Sequence, residues 1–417
     1  MGGFQSFGFA AAFSVTAVCS AGVRVFPCMA TGTDPFLIIG GGPAALSAAH
    51  AYREAGGQRP ILMLSEDGEP PYLRPPLSKD FLRGESGEDA LPIESPAYYR
   101  ERRIEFSPGD PVTSMDTGAR TVTTRAGRTV TYGRCLLATG SEPVRPDVPG
   151  AGDPAVLTLR SAASARLLRE RADGASGAVV VGSGFIGCEA AVSLARRGLG
   201  VTMLCRDSVP QRRRLGADAG RVLRDWLTGE GVEVRTGTAL AAVEDGRRVR
   251  TDRDETIDAG IVLLATGVRP RADLAEQAGL TVEKGRIRTD EHLRTSAPEV
   301  FAAGDVALAH NAAARRPLPV EHWGEAETMG ELAGRAAADS PGRWTSVPGF
   351  WSVIGDRVLK YAAWGDEVDE ARFTGHSGGA FTVWYGRRGA TAGVLTHGAD
   401  EDYEAGAELV RNGAPLP

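Results

Sequence analysis

Lysine is almost missing from this 417-residue chain: Lys79, Lys284 and Lys360 are the only three, and arginine supplies the rest of the 47 positive charges. A lysine inside a motif is therefore more informative than usual. Cysteine is also scarce. Cys19, Cys28, Cys135, Cys188 and Cys205 form no C-x-x-C pair and no zinc-ligand spacing, which argues against a disulfide framework and against a metal site. The reading that follows is free thiols in a reducing cytoplasm. Long hydrophobic runs are missing as well. The apolar stretch Phe7 to Val18 has 12 residues, where a spanning helix needs roughly 20. It also lacks the basic n-region of a signal peptide. Positive charge is not in excess, since 53 acidic residues give a net charge of −6 and a pI near 5.7. That balance argues against a nucleic-acid partner.

What is present is an ordinary globular composition, 42% hydrophobic and 24% charged, in a chain long enough for two to three domains. Residues 1–33 read as a dispensable extension, with Met29 just before the first folded segment. Phe36 to Ile39 is an apolar run that breaks into Gly40-Gly41-Gly42 and continues as an alanine-rich helix to Glu54. A second apolar run, Ile61 to Leu64, ends in Ser65-Glu66-Asp67. This is a βαβ unit. The pattern returns as strand Ala178 to Val181, the turn Gly182-Ser183-Gly184-Phe185-Ile186-Gly187, a helix to Arg197, and strand Val201 to Leu204. Two such units in one chain are far more specific than one.

Gly40 and Gly42 let the backbone turn tightly and approach a pyrophosphate at the helix N-terminus, with Ala45 in place of the third glycine. Glu66 can accept from ribose hydroxyls. Gly182, Gly184 and Gly187 repeat the device. Two further segments end alike, Cys135-Leu-Leu-Ala-Thr139-Gly140 and Val262-Leu-Leu-Ala-Thr-Gly267. Each reads as a buried strand entering a glycine turn beside a dinucleotide. From about residue 345 the texture changes to short strands, Val358 to Trp364, Ala380 to Tyr385 and Thr391 to His397, followed by a helix near Tyr403 to Arg411.

The stretch Pro71-Tyr72-Leu73-Arg74-Pro75-Pro76-Leu77-Ser78-Lys79, following Ser65-Glu66-Asp67, resembles the FAD-dependent ferredoxin and rubredoxin reductases and the related apoptosis-inducing-factor-like flavoproteins. The resemblance covers about residues 35–365. It implies that Arg74 and Lys79 bind FAD, and that Glu189 pairs with Lys79 beside the nicotinamide–flavin stack. It further implies that Asp305, in Glu299-Val-Phe-Ala-Ala-Gly-Asp305, bonds the ribityl chain. Glu321, His322 and Trp323 fall in the flavin-contacting segment, with His322 equally readable as a plain helix-start residue. Phe350-Trp351-Ser352 matches an aromatic segment of the third domain, although Val353 stands where reductases often carry an acid. Residues 68–95 contain no cysteine. The thiol relay of the disulfide-reductase and peroxidase branches is therefore excluded at that position.

After strand Val201 to Leu204 an NADH enzyme usually places an acid. Here stand Cys205 and Arg206, with Arg212 six positions on. Guanidinium forks suit a 2′-phosphate, so NADPH is the expected nucleotide and NADH the alternative.

The expected fold is α/β: two Rossmann-like dinucleotide-binding domains and a C-terminal α+β domain. The FAD domain takes residues 34–147 and 257–332, the NAD(P) domain 148–256, and the C-terminal domain 333–417. The expected activity is transfer of electrons from NAD(P)H through FAD to a ferredoxin-type iron–sulfur protein serving a monooxygenase. A redox-sensing flavoprotein and an oxidoreductase of a small organic substrate stay open as alternatives, and a homodimer is compatible with all three.

Overall fold

The computed structural model describes residues 34–417, so the expectations for residues 1–33 lie outside the described residues. Five parallel strands form the first sheet, in the order Val300–Ala302, Arg134–Leu137, Phe36–Ile39, Ile61–Leu64 and Ile104–Ser107. Phe36, Leu37, Ile38 and Ile39 are all buried, as a parallel strand covered on both faces requires. Each such fully buried Phe, Leu or Ile contributes about 1.5–3 kcal/mol.

The helix Pro43–Glu54 packs against the helix Trp323–Ala337 with almost no space between backbones. A Cβ on Gly330 would meet the Ala44 carbonyl oxygen at 2.2–2.3 Å separation, as would one on Gly334 with Ala48: the distances are 2.3 and 2.2 Å. Small residues four apart on both helices thus lock them side by side. The consequence is functional, because both helices begin at the same cavity.

The second sheet is also parallel: Val232–Thr236, Gly200–Cys205, Gly177–Val181, Ile261–Leu264 and Leu157–Thr158. Ile261–Leu264 pairs with Gly177–Val181 in register Ala178↔Ile261. This corrects the boundary expected at residue 257. The second domain keeps its last strand, and the chain returns to the first domain only after Leu264. The antiparallel pair Ser141–Pro143 and Val268–Pro270 joins the two halves at that crossover.

The third sheet is antiparallel, ordered Gly349–Ile354, Arg357–Ala363, Ala390–His397, Phe381–Arg387 and Glu370–Gly375, and the helix Asp400–Asn412 follows it. Sequence reading expected three of these strands. Glu370–Gly375 has no buried position, so its apolar pattern is silent. Gly349–Ile354 is buried at alternate positions, Phe350, Ser352 and Ile354, but the apolar residues between them and the serine among the buried ones hide the alternation in the sequence. Among the described residues, no helix is long and apolar enough to cross a membrane.

Candidate functional site

Both glycine turns open onto one cavity of about 1450 Å³, larger than the roughly 300–1,000 Å³ of ordinary small-molecule pockets. In the first turn Gly40 has φ +138°, and a Cβ there would lie 2.2 Å from the Ala138 carbonyl oxygen. In the second, Gly182 has φ +108° and would meet the Ala265 carbonyl oxygen at 2.3 Å. The Leu-Leu-Ala-Thr-Gly segments therefore do the same work twice, each pressing an alanine carbonyl against the first glycine. Gly140 and Gly267 then turn away with φ +67° and +109°. Thr139 Oγ1 donates to the Arg271 carbonyl at 2.7 Å, and Thr266 Oγ1 donates to that of Val144 at 2.6 Å.

Gly42 and Gly184 cap the two helices without any side-chain acceptor, and nothing lies within 4 Å of where their Cβ atoms would be. Free N–H groups at a helix start, with open space before them, suit a pyrophosphate. Gly187 has another task. A Cβ there would sit 2.2 Å from the Gly182 carbonyl, so it permits the helix to approach the turn. Ala45 is fully buried and off the cavity wall, where it packs into the first core.

Charged groups line the first half of the cavity. Glu66 stands at the end of Ile61–Leu64 and is engaged by Arg271, with Arg125 at 3.9 Å. Arg74 lies 5.0 Å over the Tyr72 ring, donates to the Arg160 carbonyl at 2.8 Å and has Asp67 at 3.6 Å. Burial holds its pKa below the usual arginine value. Asp305 accepts from Ser141 Oγ at 2.5 Å and from Arg160 Nη2 at 2.8 Å. Sequence reading missed Arg160. Its local signal was a strand end, Leu157–Thr158, just ahead of the Ser161/Ser164 capping box.

The segment before Trp323–Ala337 divides its roles. Glu321 pairs with Arg286, which also donates to the Asp305 backbone carbonyl, so this carboxylate braces the loop. His322 is the N-cap, packs 4.7 Å from the Phe350 ring, and has a buried Nδ1 without a hydrogen-bond partner. Burial, with Arg214 adding to it and Asp305 opposing, pushes its pKa down to about 4. The neutral imidazole lines the cavity, while its unpartnered Nδ1 is buried in the protein. Trp323 also lines the wall.

Between the two turns lies an ion pair. Lys79 Nζ is 2.8 Å from Glu189 Oε2, and the two side chains are 13% and 6% exposed. Lys79 also donates to the Pro75 carbonyl at 2.9 Å. The short 3₁₀ turn Pro75–Ser78 delivers the lysine, and the helix Phe185–Arg196 delivers the glutamate.

At the far rim, Cys205 is buried: Ser183 Oγ donates to its sulfur, which donates to the Asp207 carbonyl, each at 3.2 Å. Burial raises its thiol pKa. Arg206 lines the cavity, but Arg212 does not. Arg213 and Arg214 do, following Gln211, which caps the helix with φ +55°. Asp207, also on the wall, lies 3.6 Å from Arg213. Sequence reading gave that acid no role.

Comparison with known proteins agrees with this fold. The family profile described as pyridine nucleotide-disulphide oxidoreductase matches residues 34–330. A ferredoxin–NAD(+) reductase component of the anthranilate 1,2-dioxygenase system from Burkholderia cepacia is 34% identical over 76% of this chain and 79% of its own. Rhodocoxin reductase from Rhodococcus erythropolis is 30% identical over 91% of this chain and 90% of its own. A ferredoxin reductase structure from Rhodopseudomonas palustris superposes with TM-score 0.87 and 26% identity, covering 92% of this chain and 96% of that one. A covalent putidaredoxin reductase–putidaredoxin complex gives TM-score 0.86 at 25% identity, covering 92% and 94%.

Proposed function

Since this chain belongs to the pyridine nucleotide-disulphide oxidoreductase family, we propose that it is an FAD-dependent NAD(P)H oxidoreductase delivering electrons to a ferredoxin-type iron–sulfur protein of an oxygenase system. The observation that carries the reading is one cavity reached by two uncapped glycine turns, with the Lys79–Glu189 pair between them. FAD, when bound, supplies hydride acceptance and release of single electrons. Gly40, Gly42 and the start of Pro43–Glu54 would hold its pyrophosphate, Glu66 its adenosine ribose, and Arg74, Lys79, Arg160 and Asp305 the remainder. Thr139, Gly140, His322 and Trp323 shape the adjoining wall. Gly182, Gly184 and Gly267 would receive the nicotinamide dinucleotide, and Gly187 lets the helix approach their turn.

The absence of cysteine from residues 68–95, and the burial of Cys135, Cys188 and Cys205, favour direct exit of electrons over a thiol relay. The names of the relatives point to an iron–sulfur acceptor. For the nucleotide we assign NADPH. Cys205 puts no negative charge at the strand end, Arg206 lines the rim, and the one nearby acid, Asp207, faces Arg213. The experiment is anaerobic reduction by NADPH or NADH, followed by mixing with a two-iron ferredoxin or with dioxygen. Ferredoxin reduction well ahead of oxygen reduction is expected. Rapid reoxidation by dioxygen or a small metabolite, with no ferredoxin accepting, would overturn the reading.

A further inference from the structure

Glu189 is held from a third side, by a domain that contributes to neither glycine turn. Its Oε2 accepts from Ser78 Oγ at 2.5 Å and from Lys79 Nζ at 2.8 Å. Its Oε1 accepts from Ser352 Oγ at 2.6 Å, with the Val353 N–H at 3.4 Å. Ser352 is 1% exposed and belongs to the strand Gly349–Ile354. Alternation along that strand puts Phe350 and Ser352 on one face. On the helix Phe185–Arg196, Phe185 and Glu189 are four apart and share a face too. The two faces meet at two points: the Phe350 ring packs tilted against that of Phe185, 4.6 Å between centroids, and Ser352 bonds Glu189.

The terminal torsion of a glutamate is broad and poorly fixed by sterics. Bonds to Oε2 alone would leave the carboxylate free to rock about that torsion. A short bond to the other oxygen removes this freedom, and Ser352 is the side chain that makes it.

We propose that Ser352 is a positioning residue for the Lys79–Glu189 pair, so that the C-terminal domain sets the geometry in which the nicotinamide nucleotide reduces the flavin. It rests on the reductive half of the function proposed above and is independent of the electron acceptor. Ser352 acts through Oε1 of Glu189: it fixes the carboxylate plane, which aims Oε2 at Lys79 Nζ. Thr keeps the hydroxyl and suits a strand, Cys offers a weaker donor of similar size, and Ala offers none.

The test uses Ser352→Ala, Ser352→Cys, Ser352→Thr and the double variant Ser352→Ala/Lys79→Ala. Stopped-flow flavin reduction at saturating nucleotide is one readout. The other is acylation of lysines in flavin-free protein, read peptide by peptide, with exposed Lys284 as internal reference. Losing a hydrogen bond to a charged group predicts a limiting rate about tenfold lower for Ser352→Ala. The nucleotide concentration at half-saturation should stay put, Ser352→Cys should fall between, and Ser352→Thr should restore the rate. Lys79 acylation relative to Lys284 should rise about tenfold. In the Lys79→Ala background, Ser352→Ala should add less than about twofold, because the pair it positions is gone. Full reduction rates in both Ser352→Ala and Ser352→Cys, an equal drop in both backgrounds, or unchanged Lys79 acylation would each overturn the inference. If Ser352→Ala fails to fold, Ser352→Cys decides by the same criteria. A wild-type flavin that neither NADPH nor NADH reduces would instead defeat the functional reading, while the acylation comparison still judges Ser352.

Discussion

Glu325 provides a stability measurement whose sign and size follow from its surroundings. It is the third residue of the helix Trp323–Ala337 and is 8% exposed. Its Oε2 accepts from Trp344 Nε1 at 3.1 Å, and the Gly349 N–H also points to the carboxyl. Burial outweighs both bonds and pushes its pKa from 4.5 up to about 7. Between those values the native state holds a proton that the unfolded chain has released. Stability from this group is therefore complete below pH 4.5 and is lost as pH rises through about 7. At about 1.4 kcal/mol per pH unit, the loss amounts to about 3 kcal/mol. Glu325→Gln keeps an acceptor for Trp344 and has no proton to lose. The two proteins should be equally stable near pH 4.5, and at pH 8.5 the glutamine variant should be the more stable by about 3 kcal/mol. His322, with its pKa lowered to about 4, acts in the opposite direction but cancels in the difference. Urea unfolding followed by circular dichroism across this range is the assay. Parallel stability curves for wild type and Glu325→Gln would refute the reasoning.

Gly187→Ala would place a methyl 2.2 Å from the Gly182 carbonyl. We expect about 1–3 kcal/mol of destabilisation, measured by urea unfolding, and slower flavin reduction by NADPH with flavin content unchanged. Arg160→Ala removes the 2.8 Å bond to Asp305, and flavin retained through gel filtration should fall. Arg206→Ala should lower kcat/KM for NADPH by roughly tenfold and leave NADH unaffected; equal losses for both nucleotides would move the preference to other residues.

The residues most legible in the sequence are those whose role is backbone geometry. Gly40, Gly182 and Gly187 are fixed by local spacing because no other side chain fits against a carbonyl 2.2–2.3 Å from the Cβ position. Lys79 and Glu189 are 110 residues apart in the chain, and only the resemblance brought them together. Arg160 was missed because a single arginine after a two-residue strand carries no pattern; its meaning comes from Asp305, 145 residues away. The 261–264 strand was placed in the wrong domain for a related reason. Its sequence is nearly identical to Cys135 to Leu137 and beyond, so composition cannot say which sheet it joins; only pairing with Ala178 to Val181 does. The offset from Arg212 to Arg213 and Arg214 was not legible because four arginines at 206 and 212–214 carry no periodicity that says which of them face the cavity.

On the proposed function, the duplication explains why the two halves of the cavity take similar ligands and why they are not interchangeable. Each half has an apolar strand, a positive-φ glycine against an alanine carbonyl, and an uncapped helix start. Those parts see only a pyrophosphate and cannot tell one dinucleotide from the other. Discrimination must come from residues at the ends of the second strands, where the halves diverge. One ends at Glu66, whose charge is met by Arg271 and which can still accept from hydroxyls. The other ends at Cys205, buried and uncharged, with Arg206 beyond it. A carboxylate repels a phosphate and an arginine attracts it. On the assignment proposed above, the first half takes FAD, whose ribose hydroxyls are free, and the second takes NADPH, whose ribose carries a 2′-phosphate. The Lys79–Glu189 pair lies where the two halves meet, so its geometry depends on both of them and, through Ser352, on the third domain.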